Sequence, residues 1–386
     1  MLNDLKHTEL VWVDQPQKLR EIIPELNDQD FLAVDTESNS LYAYQEQVCL
    51  IQFSTREKDY LIDALVLPDL SPLGQIFDSD QILKVFHAAE YDLICLFRDY
   101  GFRFNYLFDT MIAARTLGYQ KIGLGALLEK FFNIQMEKKY QRANWGKRPL
   151  NPEMLQYARL DSHYLIPLQE RLRRELIESN RWELALEDFR RLTYGIEDTT
   201  EAHVDDFWKL NGARDLNPEK AAILKTLYEF RESKAESQNR PPFKVISHQA
   251  LVEIAQTAPK KLDDLAKLPS LNDRMAKRYG RGLIQAVQSG QQAPPEYPPI
   301  RKRPENSILE KIDALREWRK LTGRALGVPS DVILPRDVLN RIAWSEPDEM
   351  DELAILMQDV PHRFERFGSE IMDVVKNGHQ AAYPAP

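Results

Sequence analysis

The C-terminal half of this 386-residue chain repeats itself at one fixed offset. Leu227-Tyr228-Glu229-Phe230-Arg231 returns as Leu315-Arg316-Glu317-Trp318-Arg319, and Lys244-Val245-Ile246 returns as Val332-Ile333-Leu334. Leu251, Ile254 and Ala255 match Leu339, Ile342 and Ala343. Arg278-Tyr279-Gly280 matches Arg366-Phe367-Gly368, and Gly290 matches Gly378. Every pair is 88 positions apart (315 less 227, 378 less 290). An offset held without a gap marks two copies of one small folding unit. The apolar matches fall at helical spacing, so the unit is all-α. Between the copies, Ala293-Pro294-Pro295-Glu296-Tyr297-Pro298-Pro299 predicts a stiff, extended spacer. The tail beyond Gly378 is expected to be loose.

The first half has the opposite character, because strand and helix signals alternate there. Phe31-Leu32-Ala33-Val34 is a short apolar run. Val48-Cys49-Leu50-Ile51-Gln52-Phe53 and Tyr60-Leu61-Ile62-Asp63 follow at short spacing, which predicts an antiparallel meander. Ile82-Leu83-Lys84-Val85-Phe86 reads as another strand, leading into a helix from about Ala89 to Tyr100 that Gly101 stops. Asp109 suits the N-cap of a helix over Met111 to Leu117. Further helices are predicted from Leu124 to Phe132 and from Pro152 to about Asn180, the latter capped by Asn151 and bent at Pro167. The first half is therefore a mixed sheet flanked by helices. We delimit an α/β domain over 1–195, a first helical domain over 205–290, a proline-rich linker over 291–306 and a second helical copy over 307–380.

Hydrophobic residues at 43% and charged residues at 29% fit an ordinary globular protein. No run approaches about 20 uninterrupted apolar residues, so no membrane span is expected. Met1 to Glu9 carries Asp4, His7 and Glu9 and does not read as a signal peptide. Cys49 and Cys95 lie in apolar runs and are expected as buried, reduced thiols, which points to the cytoplasm. The net charge of −9 excludes a broadly basic nucleic-acid coat, although a local basic patch could still bind nucleic acid.

Acidic groups recur at three places. Asp35 and Glu37 in Val34-Asp35-Thr36-Glu37 share a strand face, since side chains alternate with period two. Asp92 stands in the first turn of the helix after His87-Ala88-Ala89-Glu90-Tyr91. Tyr157 and Asp161, four apart, share a helix face. Each segment alone has an ordinary explanation: a turn acid, a helix-dipole acid, a tyrosine of the apolar stripe. His87 alone reads as a packed structural histidine. Together the acids form an oxygen-rich set suited to hard divalent cations, and two such cations can support phosphodiester hydrolysis.

The order and spacing of these segments resemble the three exonuclease motifs of the DEDD superfamily, in its tyrosine branch, and most nearly the ribonuclease D family. The first motif corresponds to Val34-Asp35-Thr36-Glu37 followed by Cys49-Leu50-Ile51-Gln52. The second corresponds to Lys84-Val85-Phe86-His87-Ala88-Ala89-Glu90-Tyr91-Asp92-Leu93, and the third to Tyr157-Ala158-Arg159-Leu160-Asp161-Ser162-His163-Tyr164-Leu165. The duplicated helical unit resembles the HRDC domain. Ser38 departs from the pattern, standing where many relatives carry Phe. The resemblance implies a ribonuclease H-like exonuclease fold followed by two all-α HRDC domains. It implies catalysis by Asp35, Glu37, Asp92, Tyr157 and Asp161, with the four acids holding two divalent ions, Mg²⁺ or Mn²⁺. Asp35 is implied to bridge the ions, Glu37 and Asp161 to complete one site, Asp92 the other, and Tyr157 to orient the attacking water. His163 is not the histidine of the sister branch, whose place Tyr157 fills.

The implied activity is 3′→5′ exoribonuclease action that releases 5′-mononucleotides from RNA with a free 3′ end, such as tRNA precursors. A DNA-directed exonuclease of the same superfamily and a non-catalytic RNA-binding scaffold are the alternatives. No membrane association and no protein partner is inferred. Lys138-Lys139-Tyr140-Gln141-Arg142-Ala143-Asn144-Trp145-Gly146-Lys147-Arg148 mixes cations with aromatics. Lys138, Arg142 and Arg148 are candidates for phosphate contacts and Trp145 for base stacking, with His87 as a further substrate contact; a solvated loop with a core-packed Trp is the competing reading. In the first helical copy, Arg274, Lys277, Arg278 and Arg281 form a basic cluster. The second copy is instead loaded with acid at Asp348, Glu349, Asp351 and Glu352, which favours a structural role.

Overall fold

Residues 8–196, 206–299 and 304–378 are described by the computed structural model. The opening residues read as lacking a signal and the tail beyond Gly378 lie outside this set, as do parts of both interdomain segments.

Three apolar runs form the expected meander: β2 (Phe31–Ser38), β3 (Val48–Ser54) and β4 (Lys58–Asp63), successively antiparallel. The sheet has six strands. β1 (Glu9–Val13) runs parallel to β4, while β5 (Leu83–Phe86) and β6 (Leu107–Asp109) extend the other side in parallel, giving the order β1-β4-β3-β2-β5-β6. β1 and the helix after it, α1 (Pro16–Asn27), were not anticipated from the sequence. After α2 (Gly74–Asp78), α3 (Glu90–Tyr100) ends on Gly101 in the left-handed region at φ 69°. Asp109 caps α4 (Thr110–Thr116) through the amides of Met111 and Ile112 at 2.7 and 2.9 Å, as its sequence position predicts.

Alternation along the strands sorts the core into layers. Val34, Ile51, Phe53 and Phe86 face α1 and α3, in one cluster with Leu19 and Ile22 of α1 and with Leu93 and Leu96 of α3. Ala33, Val85 and Phe108 face the other way, onto α4, α5 (Leu124–Phe132), α7 (Leu165–Glu178) and α8 (Trp182–Arg191). Each large apolar side chain buried there contributes about 1.5–3 kcal/mol. Cys49 and Cys95 are buried, with free thiols.

The long helix expected from Pro152 is two helices, α6 (Pro152–His163) and α7. The break falls at Tyr164, three residues before Pro167, where a bend was expected. The proline causes it nonetheless. Its ring crowds the carbonyl of the residue four before it, His163, and the first helix ends there. Pro167 then sits in the first turn of α7, where no intrahelical amide partner is needed.

The repeat in sequence is a repeat in structure. The first copy comprises α9 (Pro218–Ser237), α10 (Pro242–Val245), α11 (His248–Thr257), α12 (Leu262–Leu265) and α13 (Asp273–Gln292). The second comprises α14 (Asn306–Leu326), α15 (Ser330–Ile333), α16 (Arg336–Ser345), α17 (Met350–Leu356) and α18 (Pro361–Asn377), each starting 88 residues after its counterpart. Each copy closes its own apolar core. The spacer is not free of the first copy: the Glu296 amide donates to the Pro218 carbonyl at 3.0 Å, and Lys225 pairs with Glu296 at 2.6 Å.

The copies meet the α/β domain differently. The first touches the loop after β2, where Lys244 lies 4.0 Å from the Tyr42 ring centre and Asn239 accepts from the Tyr44 amide at 3.1 Å. The second is clamped by charge. Arg363, fully buried, bonds Glu187 at 2.7 Å and Asp188 at 2.8 Å on α8. Arg191 reaches Asp337 and Asp359, and Arg115 reaches Asp331. The acids at 348–352 serve partly as caps: Glu349 and Glu352 form a reciprocal capping box at the start of α17.

Candidate active site

The end of β2 is where the acids gather. Asp35 and Glu37 project on the face covered by α6, which carries Tyr157 and Asp161. Carboxylate oxygens of Asp35, Glu37 and Asp161 lie within 4.8 Å of one another. Thr36, between the two acids, points to the opposite face and reaches α3, where its hydroxyl donates to the Asp92 carboxylate. Asp92 thus stands beside the triad but outside it, approaching from the far side of the strand. A register shift between Glu37 and Ser38 ends the regular pairing with β3 at this point.

Packed carboxylates repel, and burial adds to the cost of their charge. Burial first, then Asp161, Asp92 and Glu37, hold the Asp35 carboxyl well above the usual carboxylate range. Burial and the charges of Asp161 and Asp92 do the same to Glu37. Asp92 and Asp161 are also raised, mainly by burial, although Thr36 and Tyr157 respectively oppose the shift as hydrogen-bond donors. The donor set is all hard oxygen. It fits divalent cations such as Mg²⁺, which would relieve this repulsion.

Tyr157 is buried between Tyr140 and Trp145, with ring centres 5.9 and 6.2 Å away. Burial raises its phenol well above the ordinary value, and its hydroxyl bonds Asp161. It therefore stays protonated at neutral pH and acts as a donor. His87 lines the same cleft, its ring held by Nδ1 at 2.8 Å from the Thr110 hydroxyl. Thr110 gives its own hydrogen to the Phe86 carbonyl at 3.0 Å, so His87 Nδ1 is the donor and Nε2 keeps a lone pair. Burial pushes the His87 pKa down to about 4, leaving it neutral. The turn that delivers α3 is set by Ala88 at φ 62° and by Asp109, whose second oxygen accepts from the Ala89 amide at 2.7 Å.

The cleft above the acids encloses about 790 Å³. Lys138 lines it, while Arg142, next in sequence to the lining residue Gln141, is exposed and receives the Tyr42 hydroxyl on its backbone carbonyl at 2.7 Å. Two residues of this segment turn inward, Trp145 in the core-packed manner of the competing reading. Trp145 is 2% exposed and packs behind Tyr157, so no base can stack on it in this arrangement. Arg148 forks onto the buried Asp63 at 2.5 and 2.6 Å and onto the Cys49 carbonyl, so its charge is spent inside the fold rather than offered to phosphate. His163 bonds Asp59 at 2.9 Å beside Arg159, away from the cleft. The sequence did not single out the wall formed by the start of α5, where Gly123, Leu124 and Gly125 line the cleft. Two glycines at the start of an apolar helix were the available signal.

A family described as 3′-5′ exonuclease matches residues 10–177, and the HRDC domain matches residues 220–287 and 309–375. The ribonuclease D of Jannaschia sp. is 31% identical over 325 residues, covering 82% of this chain and 84% of that protein. The exosome complex exonuclease RRP6 of Saccharomyces cerevisiae is 31% identical over 324 residues, covering 78% of this chain. The chain spans only 44% of that protein's length. In fold, the crystal structure of Escherichia coli RNase D superposes with a TM-score of 0.69 at 23% identity, over 92% of this chain and all of that one.

Proposed function

This chain belongs to the ribonuclease D family of 3′–5′ exonucleases, and from that premise we propose that it hydrolyses the terminal phosphodiester at the 3′ end of RNA, releasing 5′-mononucleotides. The observation that carries this reading is the convergence of Asp35, Glu37 and Asp161 within 4.8 Å, beside the protonated hydroxyl of Tyr157.

Two divalent cations, Mg²⁺ or Mn²⁺, when bound, would supply Lewis acidity that acidifies water and stabilises charge on the leaving 3′ oxygen. Asp35, central among the acids, would be shared between the ions, Glu37 and Asp161 completing one site and Asp92 the other. Tyr157 orients the attacking water by donating to it or to Asp161. A phenol held above its ordinary pKa of about 10 is a poor base, so its role is orientation rather than proton removal. Trp145 and Tyr140 fix that ring from both sides. Neutral His87 offers Nε2 as an acceptor to a substrate hydroxyl. Lys138 in the cleft and the exposed Arg142 attract backbone phosphates. The exposed cations Arg274, Lys277, Arg278 and Arg281 on α13 extend that attraction to a longer RNA, and tRNA precursors with a free 3′ end are the proposed class. Free thiols at Cys49 and Cys95 support a cytoplasmic setting. No helix among the described residues is long and apolar enough to cross a membrane.

The test is a time course on one RNA labelled at either end. The 3′ label should leave as a mononucleotide from the first turnover, while the 5′ label shortens stepwise. Chelator should stop the reaction and Mg²⁺ or Mn²⁺ restore it. Activity indifferent to chelator, or internal cuts, would refute the reading. A DNA oligonucleotide digested in parallel separates the DNA-directed alternative.

A further inference from the structure

Among the described residues, Gln52 alone has both ends of its side chain buried without a hydrogen-bond partner. It is fully buried, in the middle of β3. Leaving a buried polar group unpaired costs about 1–3 kcal/mol, and an amide has two ends to satisfy. An apolar residue of the same shape would avoid that cost, so the amide's presence calls for a partner within its reach.

The sheet register says where that partner lies. Gln52 stands directly opposite Asp35 on β2 and opposite Leu61 on β4. Directly opposed residues of an antiparallel pair share a face, with Cβ atoms about 4.5–5.5 Å apart. Two residues along, Ser54 shares that face, and its hydroxyl lies 2.8 Å from Ser162 on α6. Two residues back, Leu50 packs with Tyr157 and Ala158 of the same helix. The amide is therefore enclosed beneath α6, between Asp35 and the helix turn that carries Asp161. Asp92 is already held by the Thr36 hydroxyl and Asp161 by Tyr157, while Glu37 stands opposite Leu50, two residues along from the Asp35–Gln52 pair. No side-chain donor reaches Asp35 among the described residues.

We propose that Gln52 is a positioning residue for Asp35. Its Nε2–H group donates to the Asp35 carboxylate once that carboxylate turns to hold a cation, and fixes its orientation. The proposal rests on the active-site reading given above. Ligating carboxylates depend on such outer partners, whose loss costs about 10–100-fold in metal affinity or activity.

The test uses the full chain without RNA. Mn²⁺ binding is measured by titration calorimetry, and unfolding temperature is measured in chelator, for the wild type and for Gln52→Met, which keeps length and loses both polar ends. The expected result is Mn²⁺ affinity weaker by about 10-fold or more, with a metal-free unfolding temperature unchanged or raised. In steady-state assays kcat should fall at limiting metal while KM for RNA stays put. Should Gln52→Met fail to fold, Gln52→Asn, whose amide is one methylene short of reach, takes its place with the same expectation. A variant that binds Mn²⁺ as the wild type does would overturn the role of Gln52, and so would a lower metal-free unfolding temperature with unchanged affinity. Wild type that binds no Mn²⁺ would instead sink the active-site reading itself.

Discussion

The hydroxyl of Thr36 donates to the carboxylate of Asp92, joining the two faces of the sheet at the point where the acids meet. Asp35 and Glu37 lie toward α6, and Asp92 comes from α3 on the other side. Thr36, between the two strand acids, points to that side and reaches it. Thr36→Val keeps the shape and removes the donor. We expect hydrolysis to fall about 10–100-fold, as for other partners of ligating groups, with Thr36→Ser restoring most of it. Single-turnover rates at saturating Mg²⁺ measure this.

Asp35→Asn removes the central charge. Hydrolysis should drop by about three orders of magnitude or more, since loss of cation stabilisation is worth several kcal/mol and each 1.36 kcal/mol is about tenfold. RNA binding, followed by gel shift, should persist. The metal-free variant should unfold at a higher temperature than the wild type, because one of four mutually repelling carboxylates is gone. A variant as active as wild type would remove Asp35 from the chemistry.

The same repulsion gives the metal-free protein an unusual pH response. Burial pushes Asp92 and Asp161 up to about 7, against an unperturbed value of 3.8. A carboxyl whose folded pKa is raised contributes stability that is full below the unfolded value and lost as pH rises through the folded one. In chelator, the unfolding temperature should therefore climb as pH falls from about 8 toward 5. Asp59 opposes this further down: despite burial it is lowered, with His163, Ser54 and Arg159 as its hydrogen-bond partners, so its contribution is lost as pH falls below 3.8. Saturating Mg²⁺ should flatten or invert the slope between about 5 and 8. Calorimetric scans across pH with and without Mg²⁺ check the sign.

Arg363 predicts the strongest stability effect away from the cleft. Removing one partner of a buried ion pair costs about 3–5 kcal/mol, because the other is left uncompensated. Arg363→Ala strands Glu187 and Asp188, so chemical denaturation should report a loss of that size. Combining Arg363→Met with Glu187→Leu and Asp188→Leu should recover most of it. Gly118→Ala should act at the same seam: Gly118 has φ 85°, and an added Cβ would meet the Gly327 carbonyl at 2.1 Å.

Features that depend on local pattern were legible in the sequence. The meander came from apolar runs at short spacing, α3 and α4 from their cap residues, and the paired helical units from a gapless offset. The placement of Asp35 and Glu37 on one face followed from strand period. What escaped depends on tertiary packing. Pro167 marked a discontinuity, but the strain falls a turn earlier, at the carbonyl it would strike. Arg148 and Trp145 have the composition of a nucleic-acid surface, and only the fold reveals Asp63 beneath one and Tyr157 over the other. That Asp92 approaches the strand acids from the opposite side of β2 is likewise visible only in the fold, through its bond from Thr36. Gln52 looked like one polar residue in an apolar strand until the register set it against Asp35.

The duplicated unit carries a record of its own divergence. Where the second copy has Arg363, Asp331, Asp337 and Asp359, the first has Met275, Phe243, Gln249 and Leu271. The helices begin at the same positions in both, so these exchanges altered neighbours without altering architecture. One scaffold thus tolerates two kinds of seat: buried charge pairs against α8 for the second copy, and the Lys244 and Asn239 contacts with the loop after β2 for the first.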